Sequence, residues 1–411
     1  MAAPYEPKPT SDGVPRAIWD DAPSRAIAVN LPAPLAFYAR SLLRWRPNCE
    51  ITVLREGAET FPAMLEAIAA AKKTICLEVY ILAPDATGDR FKQALLQRAQ
   101  AGVAVRVMYD AVGSFGLGDA WFAQLVAAGV QVVDFNPITP WRARYRLSHR
   151  NHRKILVVDD TIAFTGGLNI ANDYVSLDEG GKGWHDMHCR VRGPAVLDLS
   201  RLFRRTWISA GGTPYPTPAR ASDAPAGPGA SYARVIENSK RLQRGAFRRA
   251  YLYVIARARE SVLIENAYFL PERAVRRQLT RAVRRGVKVA VIVPGHSDVR
   301  MVEYAGDYVL RRLAKRGVEI LRWQGTMMHA KTAVVDGVWS TIGTYNFDAQ
   351  SRLNNLEVTV EILDPVVGTE LVAEFDQSRT NCTRYDEAAW LRLPWYRKVL
   401  AWISYRLRRF L

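Results

Sequence analysis

The sequence has few cysteines and none of the usual signatures of a bound nucleotide or metal. Its cysteines stand singly and far apart, at Cys49, Cys76, Cys189 and Cys382. This spacing excludes a disulfide framework and a zinc-type cluster, and it favours a reducing compartment. The sequence also contains no Walker-type phosphate loop and no paired-aspartate metal motif, so it does not support an ATP- or magnesium-dependent mechanism. We therefore expect no cofactor and no metal.

Long apolar runs and acidic residues are also scarce. No stretch approaches the roughly 20 apolar residues of a membrane-spanning helix, and residues 1–50 carry Asp and Pro where a signal peptide needs an apolar run. Asp and Glu number 40 against 57 Lys and Arg, which gives a net charge of +17. Such an excess predicts an anionic partner, either a nucleic acid or an acidic membrane surface. Charge alone does not choose between these two partners. With neither a signal-peptide pattern nor a spanning segment in the sequence, we expect a cytoplasmic protein.

One short pattern occurs twice in the chain. The first copy comprises His152-Arg153-Lys154, Asp159, Gly166 and Asn169, and the second comprises His329-Ala330-Lys331, Asp336, Gly343 and Asn346. In both copies the asparagine follows the histidine by 17 residues. A single His-x-Lys on a strand is more often a surface pair than a site. Two copies with matching Asp, Gly and Asn offsets indicate a duplicated functional site.

The segments around the motifs repeat one order of helices and strands. In the first unit we predict a helix over 62–73, a strand over 74–82, a helix over 88–101, a strand over 103–109, and strands over 154–158 and 162–165. In the second unit we predict a helix over 247–259, a strand over 262–267, a helix over 272–285, a strand from 287, and a strand over 332–335. Alternating helices and Val- and Ile-rich strands indicate an α/β fold with a sheet covered on both faces.

The duplication predicts five regions in the 411 residues. They are an N-terminal extension with a short amphipathic segment (1–56), repeat 1 (57–210), a Pro/Ala/Gly-rich linker (211–232), repeat 2 (233–385) and a basic amphipathic C-terminal tail (386–411). The linker composition is unsuited to a helix or a central strand. Each repeat is long enough to bury a core of its own.

The residue types of the motif suit the chemistry of a phosphodiester. Because a strand has a period of two, His152 and Lys154 project from one face of their strand, and the second motif repeats this arrangement. Two such strand edges around one pocket supply two His, two Lys and two Asn. Lysine and asparagine donate to the non-bridging oxygens. One imidazole attacks phosphorus and the other protonates the leaving oxygen, and no metal is needed because the lysines neutralise the phosphate.

These motifs resemble the phospholipase D superfamily, whose mark is His-x-Lys-x4-Asp followed by Gly-Gly or Gly-Ser and then Asn. The resemblance covers residues from about 57 to 380, and more narrowly it is to bacterial cardiolipin synthases. The matching text is Asn151-His152-Arg153-Lys154, Trp184-His185-Asp186-Met187-His188 with Gly193-Pro194, Tyr268-Phe269-Leu270-Pro271, Met328-His329-Ala330-Lys331, and Asn346-Phe347-Asp348 through Ser351 to Asn355-Leu356-Glu357. The resemblance implies two pseudo-symmetric α/β/α sandwich repeats that share one central active site.

The resemblance also implies roles for individual residues. The catalytic set is His152, Lys154, Asp159, His329, Lys331 and Asp336, with Asn169 and Asn346 as phosphate-binding residues and Asp186 and Glu357 as histidine-orienting acids. We expect Asp186 behind His152 and Glu357 behind His329, and family precedent favours His152 as the nucleophile. The motif aspartates follow buried valines, so we expect them to pin the turn after each strand. Two departures are Thr344, where many members have Ser, and His185, where Arg is common.

Three basic segments with apolar or aromatic residues predict contact with lipid. In the C-terminal segment 390–411, Val399, Leu400, Ile403, Leu407, Phe410 and Leu411 share one helical side, and Arg397, Lys398, Ser404, Arg408 and Arg409 share the other. This pattern predicts an interfacial helix on an anionic bilayer, and the alternative is a terminal helix docked on the protein's own core. Residues 35–46 resemble a shorter interfacial segment. The loop 139–150, with Arg142, Arg144, Arg146 and Arg150, is either a solvated basic loop or a headgroup contact.

Taken together, the sequence predicts a phosphatidyltransferase of the cardiolipin synthase type that acts through a phosphohistidine. The expected substrates are phospholipids such as phosphatidylglycerol, and the expected location is the cytoplasmic face of the bacterial inner membrane, as a peripheral protein. A phospholipase D hydrolase, with water as the acceptor, is the nearest alternative. A nucleic-acid phosphodiesterase explains the charge but not the amphipathic ends, so we expect no nucleic-acid partner. The intact motifs argue against a non-catalytic membrane-binding protein.

Overall fold

The computed structural model describes residues 30–41, 44–137, 149–220, 227–239 and 245–408. The strands are β1 Arg46–Arg55, β2 Thr74–Val79, β3 Ala104–Asp110, β4 Gln131–Phe135, β5 Ile155–Val158, β6 Ile162–Gly166, β7 Met187–Arg192, β8 Ser231–Glu237, β9 Ser261–Asn266, β10 Lys288–Pro294, β11 Glu319–Trp323, β12 Lys331–Val335, β13 Trp339–Gly343, β14 Val358–Leu363 and β15 Cys382–Arg384. The helices are α1 Ala33–Ala36, α2 Glu56–Ala70, α3 Ala86–Gln100, α4 Asp119–Ala127, α5 Ala195–Ser209, α6 Ala246–Arg257, α7 Arg273–Arg284, α8 Arg300–Ala314, α9 Ala349–Leu353, α10 Pro365–Thr380, α11 Glu387–Arg392 and α12 Trp395–Arg406.

The described strands form one sheet whose two halves repeat the same order. From one edge to the other the order is β4-β3-β2-β5-β6-β7-β1, then β8-β14-β13-β12-β9-β10-β11-β15. Strands β2, β3 and β4 of repeat 1 are parallel, as are β9, β10 and β11 of repeat 2. The inner strands are antiparallel, and β15 pairs antiparallel with β11 at the outer edge of repeat 2. The halves join where β1 pairs antiparallel with β8. The predicted α/β fold of two pseudo-symmetric repeats is confirmed.

The sheet begins inside the stretch that the sequence assigned to the N-terminal extension. β1 pairs with β7 from Glu50↔Arg192 to Arg55↔Met187 and also reaches β8. This strand lies between the two repeats, so its partners come from distant parts of the chain and no local pattern shows them. Likewise, β8 starts at Ser231, inside the predicted linker.

A hydrophobic core shared by both repeats underlies the centre of the sheet. One cluster combines α5 residues such as Phe203 and Trp207 with α10 residues such as Leu371 and Phe375, together with strand residues of both repeats. Two further clusters, one in each repeat, lie under α2 to α4 and under α6 to α8. Because each half of the central cluster covers apolar surface of the other, the repeats are held in one arrangement.

A buried arginine links the repeats beside the first motif. Arg153 is fully buried and donates to the carbonyl oxygen of Glu357 at 3.1 Å, to Thr206 Oγ1 at 2.8 Å and to Glu237 Oε2 at 3.2 Å. Glu357 and Glu237 belong to repeat 2, whereas Thr206 belongs to α5 of repeat 1. A buried guanidinium needs such partners, because an unpaired buried charge is costly. The second motif has Ala330 at this position, and its methyl group cannot form such hydrogen bonds.

Part of the predicted interfacial segment 35–46 packs on the protein itself. Tyr38, Ala39 and Trp45 are buried against the core of repeat 2, and Tyr38 OH donates to Asp336 Oδ2 at 2.8 Å. The interfacial prediction is therefore wrong for Tyr38 and Trp45, because they pack on apolar surface of the protein itself. Leu42 and Leu43, which belong to the same prediction, lie outside the described residues. None of the helices in the described ranges has both the length and the apolarity to cross a membrane.

Candidate active site

Each motif lies where a central strand of its repeat begins. β5 lies between β2 and β6, and β12 lies between β9 and β13. His152 and His329 precede these strands at the same edge of the sheet, and both are buried. Lys154 Nζ donates to the carbonyl oxygen of His152 at 2.8 Å, and Lys331 Nζ donates to that of His329. Each ammonium group is thereby held beside the histidine of its own motif.

Two short backbone pairings bring the repeats together at the site. In one, His152 N donates to Leu356 O at 3.0 Å, and Leu356 N donates to Arg150 O at 2.8 Å. In the other, His185 N donates to Met327 O at 2.9 Å, and His329 N donates to His185 O at 2.7 Å. Each pairing joins the chain next to a motif histidine to the chain just before an acid of the other repeat.

As a result, each histidine is oriented by the acid of the opposite repeat. Glu357 Oε2 lies 3.1 Å from Nδ1 of His152, and Asp186 Oδ2 lies 2.7 Å from Nδ1 of His329. Both acids are fully buried. The expected pairing of Asp186 with His152 and Glu357 with His329 is therefore wrong. The acid nearest to each histidine depends on which strand ends meet in space. The two backbone pairings bring each histidine beside the acid of the other repeat.

The acids also determine the form of each imidazole. A carboxylate only accepts hydrogen bonds, so Nδ1 of each ring carries the proton and Nε2 keeps its lone pair. Burial and the neighbouring Lys154 lower the pKa of His152, and burial and Lys331 lower the pKa of His329 to about 4. Both rings are therefore neutral near pH 7, and each has a nucleophilic Nε2 atom.

The two motif lysines repel each other electrostatically across the boundary between the repeats. Burial and the charge of Lys331 lower the pKa of Lys154 to about 7, and burial also lowers the pKa of Lys331. The charge of Lys331 further lowers the pKa of His152, and that of Lys154 lowers the pKa of His329. The two motifs therefore share one electrostatic environment. An anion between the lysines would relieve their repulsion and restore their charge.

The two motif asparagines differ in their surroundings. Asn169 Nδ2 donates to Tyr174 OH at 2.9 Å, and its Oδ1 accepts from Ile81 N at 3.1 Å. Tyr174 OH lies 3.1 Å from Nδ1 of His329, so Asn169 is linked to the histidine of the other repeat. Among the described residues the buried Oδ1 atom of Asn346 has no hydrogen-bond partner. Both side-chain groups of Asn169 are already hydrogen-bonded, whereas Asn346 has an acceptor atom that a ligand could use.

The motif aspartates lie away from the histidines, at the far ends of β5 and β12. Asp159 accepts from the backbone N atoms of Lys72, Lys73 and Thr74 at 2.7–2.8 Å. Asp336 accepts from the backbone N atoms of Arg259, Glu260 and Ser261 at 2.8 Å. Their inclusion in the catalytic set is therefore wrong, whereas the turn-pinning role predicted for them agrees with these bonds. Both aspartates adopt positive φ angles. Their hydrogen bonds to the loops that lead into β2 and β9 stabilise this backbone conformation.

The two departures from the family pattern play different parts: His185 pairs with carboxylates outside the orienting pair, and Thr344 holds an orienting acid. His185 Nδ1 lies 3.1 Å from Glu56 Oε1, and the ring stacks on Trp323 with centroids 4.5 Å apart. Nε2 lies 3.9 Å from Glu265 Oε1. The carboxylates of Glu265 and Glu56 outweigh burial and raise the pKa of His185 to about 10. The ring is thus a buried cation, as an Arg at this position would be. Thr344 Oγ1 donates to Glu357 Oε2, so its hydroxyl holds the orienting acid.

Aromatic side chains form walls of the site, and two of them, Tyr80 and Tyr174, lie outside the short segments that resemble the family. The ring of Tyr80 lies 5.0 Å from that of His152, and the rings of Trp184 and Tyr174 lie 5.6 Å and 5.9 Å from that of His329. The text Tyr80-Ile-Leu-Ala-Pro partly repeats Tyr268-Phe-Leu-Pro, and this similarity is the signal that could have found Tyr80. No sequence signal identifies Tyr174, because its partners come from both repeats.

The predicted basic loop before the first motif is only partly described. Residues 138–148, with Arg142, Arg144 and Arg146, lie outside the described residues. Arg150 is buried, with its guanidinium 3.5 Å from Asp110 Oδ1, and it donates to Asn136 O at 3.2 Å. The prediction of a headgroup contact is therefore wrong for Arg150, whose charge is satisfied inside the protein.

Comparison with known proteins agrees with this geometry. Residues 64–207 and 251–379 match the family model described as cardiolipin synthase, PLD-like domain. The cardiolipin synthase of Halalkalibacterium halodurans is 32% identical over 85% of this chain and 69% of its own length. Cardiolipin synthase B of Salmonella typhi is 32% identical over 89% of both chains. The crystal structure of phosphatidylserine synthase from Haemophilus influenzae superposes with a TM-score of 0.64, covering 88% of this chain and 95% of the other at 16% identity, a likeness of fold.

The duplicated fold and the paired histidines define a member of the phospholipase D superfamily. Within it, the chain belongs to the family of cardiolipin synthase PLD-like domains, because the family model matches well over half of its length, once in each repeat. The resemblance inferred from the motifs is therefore confirmed.

The exchanged acids can be tested by NMR of the six histidines in the chain. We expect Asp186→Asn to lower the pKa of His329 further, because the hydrogen bond and charge of Asp186 raise it. The same change should not alter the ¹⁵N chemical shift of Nδ1 in His152. Glu357→Gln is the matched control and should move the signals of His152 instead. Histidine ¹⁵N spectra recorded against pH measure both effects, and a shift of His152 in Asp186→Asn would contradict the exchange.

The buried His185 cation predicts a pH-dependent stability. Its pKa in the folded protein is about 10, above the 6.5 or so of an unfolded histidine, so its contribution is complete below about pH 6.5 and is lost as pH rises towards 10. We expect His185→Gln to lower the free energy of unfolding by roughly 3 kcal/mol at pH 6. The difference from wild type should shrink by pH 10 in denaturant titrations.

His296→Gln is the control for this measurement because His296 is exposed. It should change stability by less than about 0.5 kcal/mol at either pH. A pH-independent effect of His185→Gln would show that the ring acts by packing alone.

Proposed function

We propose that the protein is a phosphatidyltransferase of the cardiolipin synthase type that acts through a phosphohistidine intermediate. The observation that supports this most strongly is the pair of buried, neutral imidazoles from different repeats, each tied through Nδ1 to an acid. The relatives named cardiolipin synthase supply the reaction class. The substrates we propose are glycerophospholipids, with phosphatidylglycerol as the donor.

In the first half-reaction, Nε2 of one histidine attacks the phosphorus of the donor. The P–O bond to the headgroup breaks as the N–P bond forms, and the other histidine protonates the leaving oxygen. We assign the nucleophile to His152, following the family resemblance, and the acid to His329. Because the substrate is anionic, its arrival raises the lowered pKa of the acid histidine and lets it hold a proton. Lys154 and Lys331 donate to the non-bridging oxygens, and so does the Nδ2 amide group of Asn346.

In the second half-reaction, a hydroxyl of a second glycerophospholipid attacks the phosphohistidine. The N–P bond breaks, the new P–O bond forms, and the deprotonated His329 takes the hydroxyl proton. Water in place of the hydroxyl would give phosphatidic acid, so access of the acceptor separates a transferase from a phospholipase D hydrolase. Asp186 and Glu357 stabilise whichever imidazolium forms.

Replacement of either histidine tests this mechanism. We expect His152→Ala and His329→Ala each to lower turnover by roughly 10³-fold or more, because each removes a group that exchanges a bond or proton with the substrate. The measurement is mass spectrometry of the lipids made by the purified protein in phosphatidylglycerol vesicles. Cardiolipin is the expected product of the wild type, and His296→Ala is the control with retained activity.

Other outcomes of that experiment are equally clear. Phosphatidic acid as the sole product would make the protein a hydrolase. Full activity in either histidine variant would remove that residue from the mechanism. Because a phosphohistidine is labile to acid, we expect no lipid label on the wild type or on either variant after acid quenching. After alkaline quenching, label retained in His329→Ala but lost in His152→Ala would support His152 as the nucleophile.

We also propose that α12 binds the protein peripherally to an anionic membrane on the cytoplasmic face. The helix docks on α8 through its small residues, Ala401 and Ser404, which are buried. Its apolar side stays exposed, with Trp395 76% and Trp402 49% accessible. The predicted Phe410 and Leu411 lie outside the described residues. An exposed apolar side flanked by basic residues suits a lipid interface better than a nucleic acid.

Vesicle binding tests the role of α12. We expect the double change Trp402→Asp with Ile403→Asp to weaken binding to vesicles containing phosphatidylglycerol by at least about tenfold, because both side chains lose apolar burial in the lipid. Val366→Asp is the control, since Val366 is an exposed apolar residue on another helix. Co-sedimentation measures the binding. Unchanged affinity, or tight salt-dependent DNA binding with DNA cleavage, would contradict the lipid assignment.

A further inference from the structure

A cavity of about 250 Å³ opens in repeat 2, beside the residues already assigned to the reacting phosphate. Four arginines line it, Arg248, Arg273, Arg352 and Arg408, and we call it the arginine pocket. Tyr345 and Phe347, which flank the motif asparagine, form part of its wall. Asp348 also lines it, and the charges of Glu357 and Lys331 act on the pKa of its carboxyl group. The pocket therefore lies within electrostatic reach of the catalytic centre.

The arginine pocket has an excess of positive charge. Glu272 accepts a hydrogen bond from Arg248, so these two charges offset each other. Within the described ranges, Arg273 and Arg352 form no side-chain hydrogen bond or ion pair. Burial raises the pKa of Asp348 to about 7, so its carboxyl group is only partly charged at neutral pH. Guanidinium groups that share a cavity without matching acids favour an anion between them.

The chemistry and size of the pocket suit a phosphate with a small polyol. The forked donors of arginine match the non-bridging oxygens of a phosphodiester. The volume equals that of about eight water molecules at roughly 30 Å³ each, which admits a phosphate and a glycerol unit but no acyl chain. Arg408 lies two residues beyond the last residue of α12, so the C-terminal end of that helix lies beside the pocket.

We propose that the arginine pocket binds the unreacted phosphate of the acceptor phospholipid. This inference rests on the proposed function, because transfer between two phospholipids involves two phosphates and only one of them reacts. With its own phosphate held by the arginines, the acceptor presents its glycerol hydroxyl to the phosphohistidine. The hydroxyl oxygen bonds to phosphorus, the N–P bond breaks, and the hydroxyl proton goes to the second histidine. Hydrolysis needs no such pocket.

The ratio of cardiolipin to phosphatidic acid, measured with the full chain in phosphatidylglycerol vesicles, tests this role. We expect the double variant Arg273→Gln with Arg352→Gln to lower the ratio about tenfold, the effect of losing a charge-assisted hydrogen bond to the acceptor. The double variant Arg277→Gln with Arg281→Gln is matched in charge and lies on the exposed side of α7. It should keep the wild-type ratio.

Two further variants separate a binding role from a folding defect. Arg273→Lys with Arg352→Lys keeps the charge and should restore the ratio in part. Released glycerol reports donor cleavage, so a variant that cleaves the donor but makes little cardiolipin is folded and lacks acceptor binding. If the glutamine variant keeps the wild-type ratio, the inference is wrong while the proposed function stands. If the wild type makes no cardiolipin at all, the proposed function itself fails.

Soluble competitors distinguish an acceptor lipid from free phosphate. Glycerophosphoglycerol, the deacylated headgroup, should lower the cardiolipin ratio of the wild type at concentrations about tenfold below those of inorganic phosphate. It should have little effect on the glutamine variant. Equal competition by inorganic phosphate would show a general phosphate site and would overturn the assignment to the acceptor.

Discussion

The site depends on two backbone pairings that join the strand edges of opposite repeats. They place Asp186 at 2.7 Å from His329 and Glu357 at 3.1 Å from His152. Neither repeat therefore contains a complete histidine-acid pair. The buried acids stabilise the proton on Nδ1 and leave Nε2 free, which is the form that a nucleophile requires. Duplication of one motif thus gives a functional centre only when the two copies face each other, and the shared core between α5 and α10 holds them there.

The pseudo-symmetry is incomplete, and its exceptions separate the two halves of the site. Arg153 links the repeats beside His152, whereas Ala330 makes no such link. Tyr174 contacts His329 and accepts a hydrogen bond from Asn169. Asn346, in contrast, has a buried oxygen atom without a hydrogen-bond partner among the described residues. The arginine pocket and α12 both lie on the repeat 2 side. These differences give one histidine and one substrate position properties that the other lacks.

Much of the fold was predictable because its signals are local. The alternation of Val-rich strands with helices and the twin motifs both lie in short stretches, and they indicated two α/β repeats with His152 and His329 at strand edges. The partner of each acid was not predictable, because it depends on which edges meet in space. The same applies to β1, which pairs with strands from both repeats, and to Tyr38, whose amphipathic segment packs on the protein and not on lipid.

The proposed mechanism requires one phosphorus to lie between histidines from different repeats. A crystal structure with orthovanadate, which imitates the pentacoordinate transition state, would locate that phosphorus position. We expect a single vanadium between the Nε2 atoms of His152 and His329, with Lys154 and Lys331 on its oxygens. Vanadate bound to one motif alone, with the other histidine beyond contact, would contradict it.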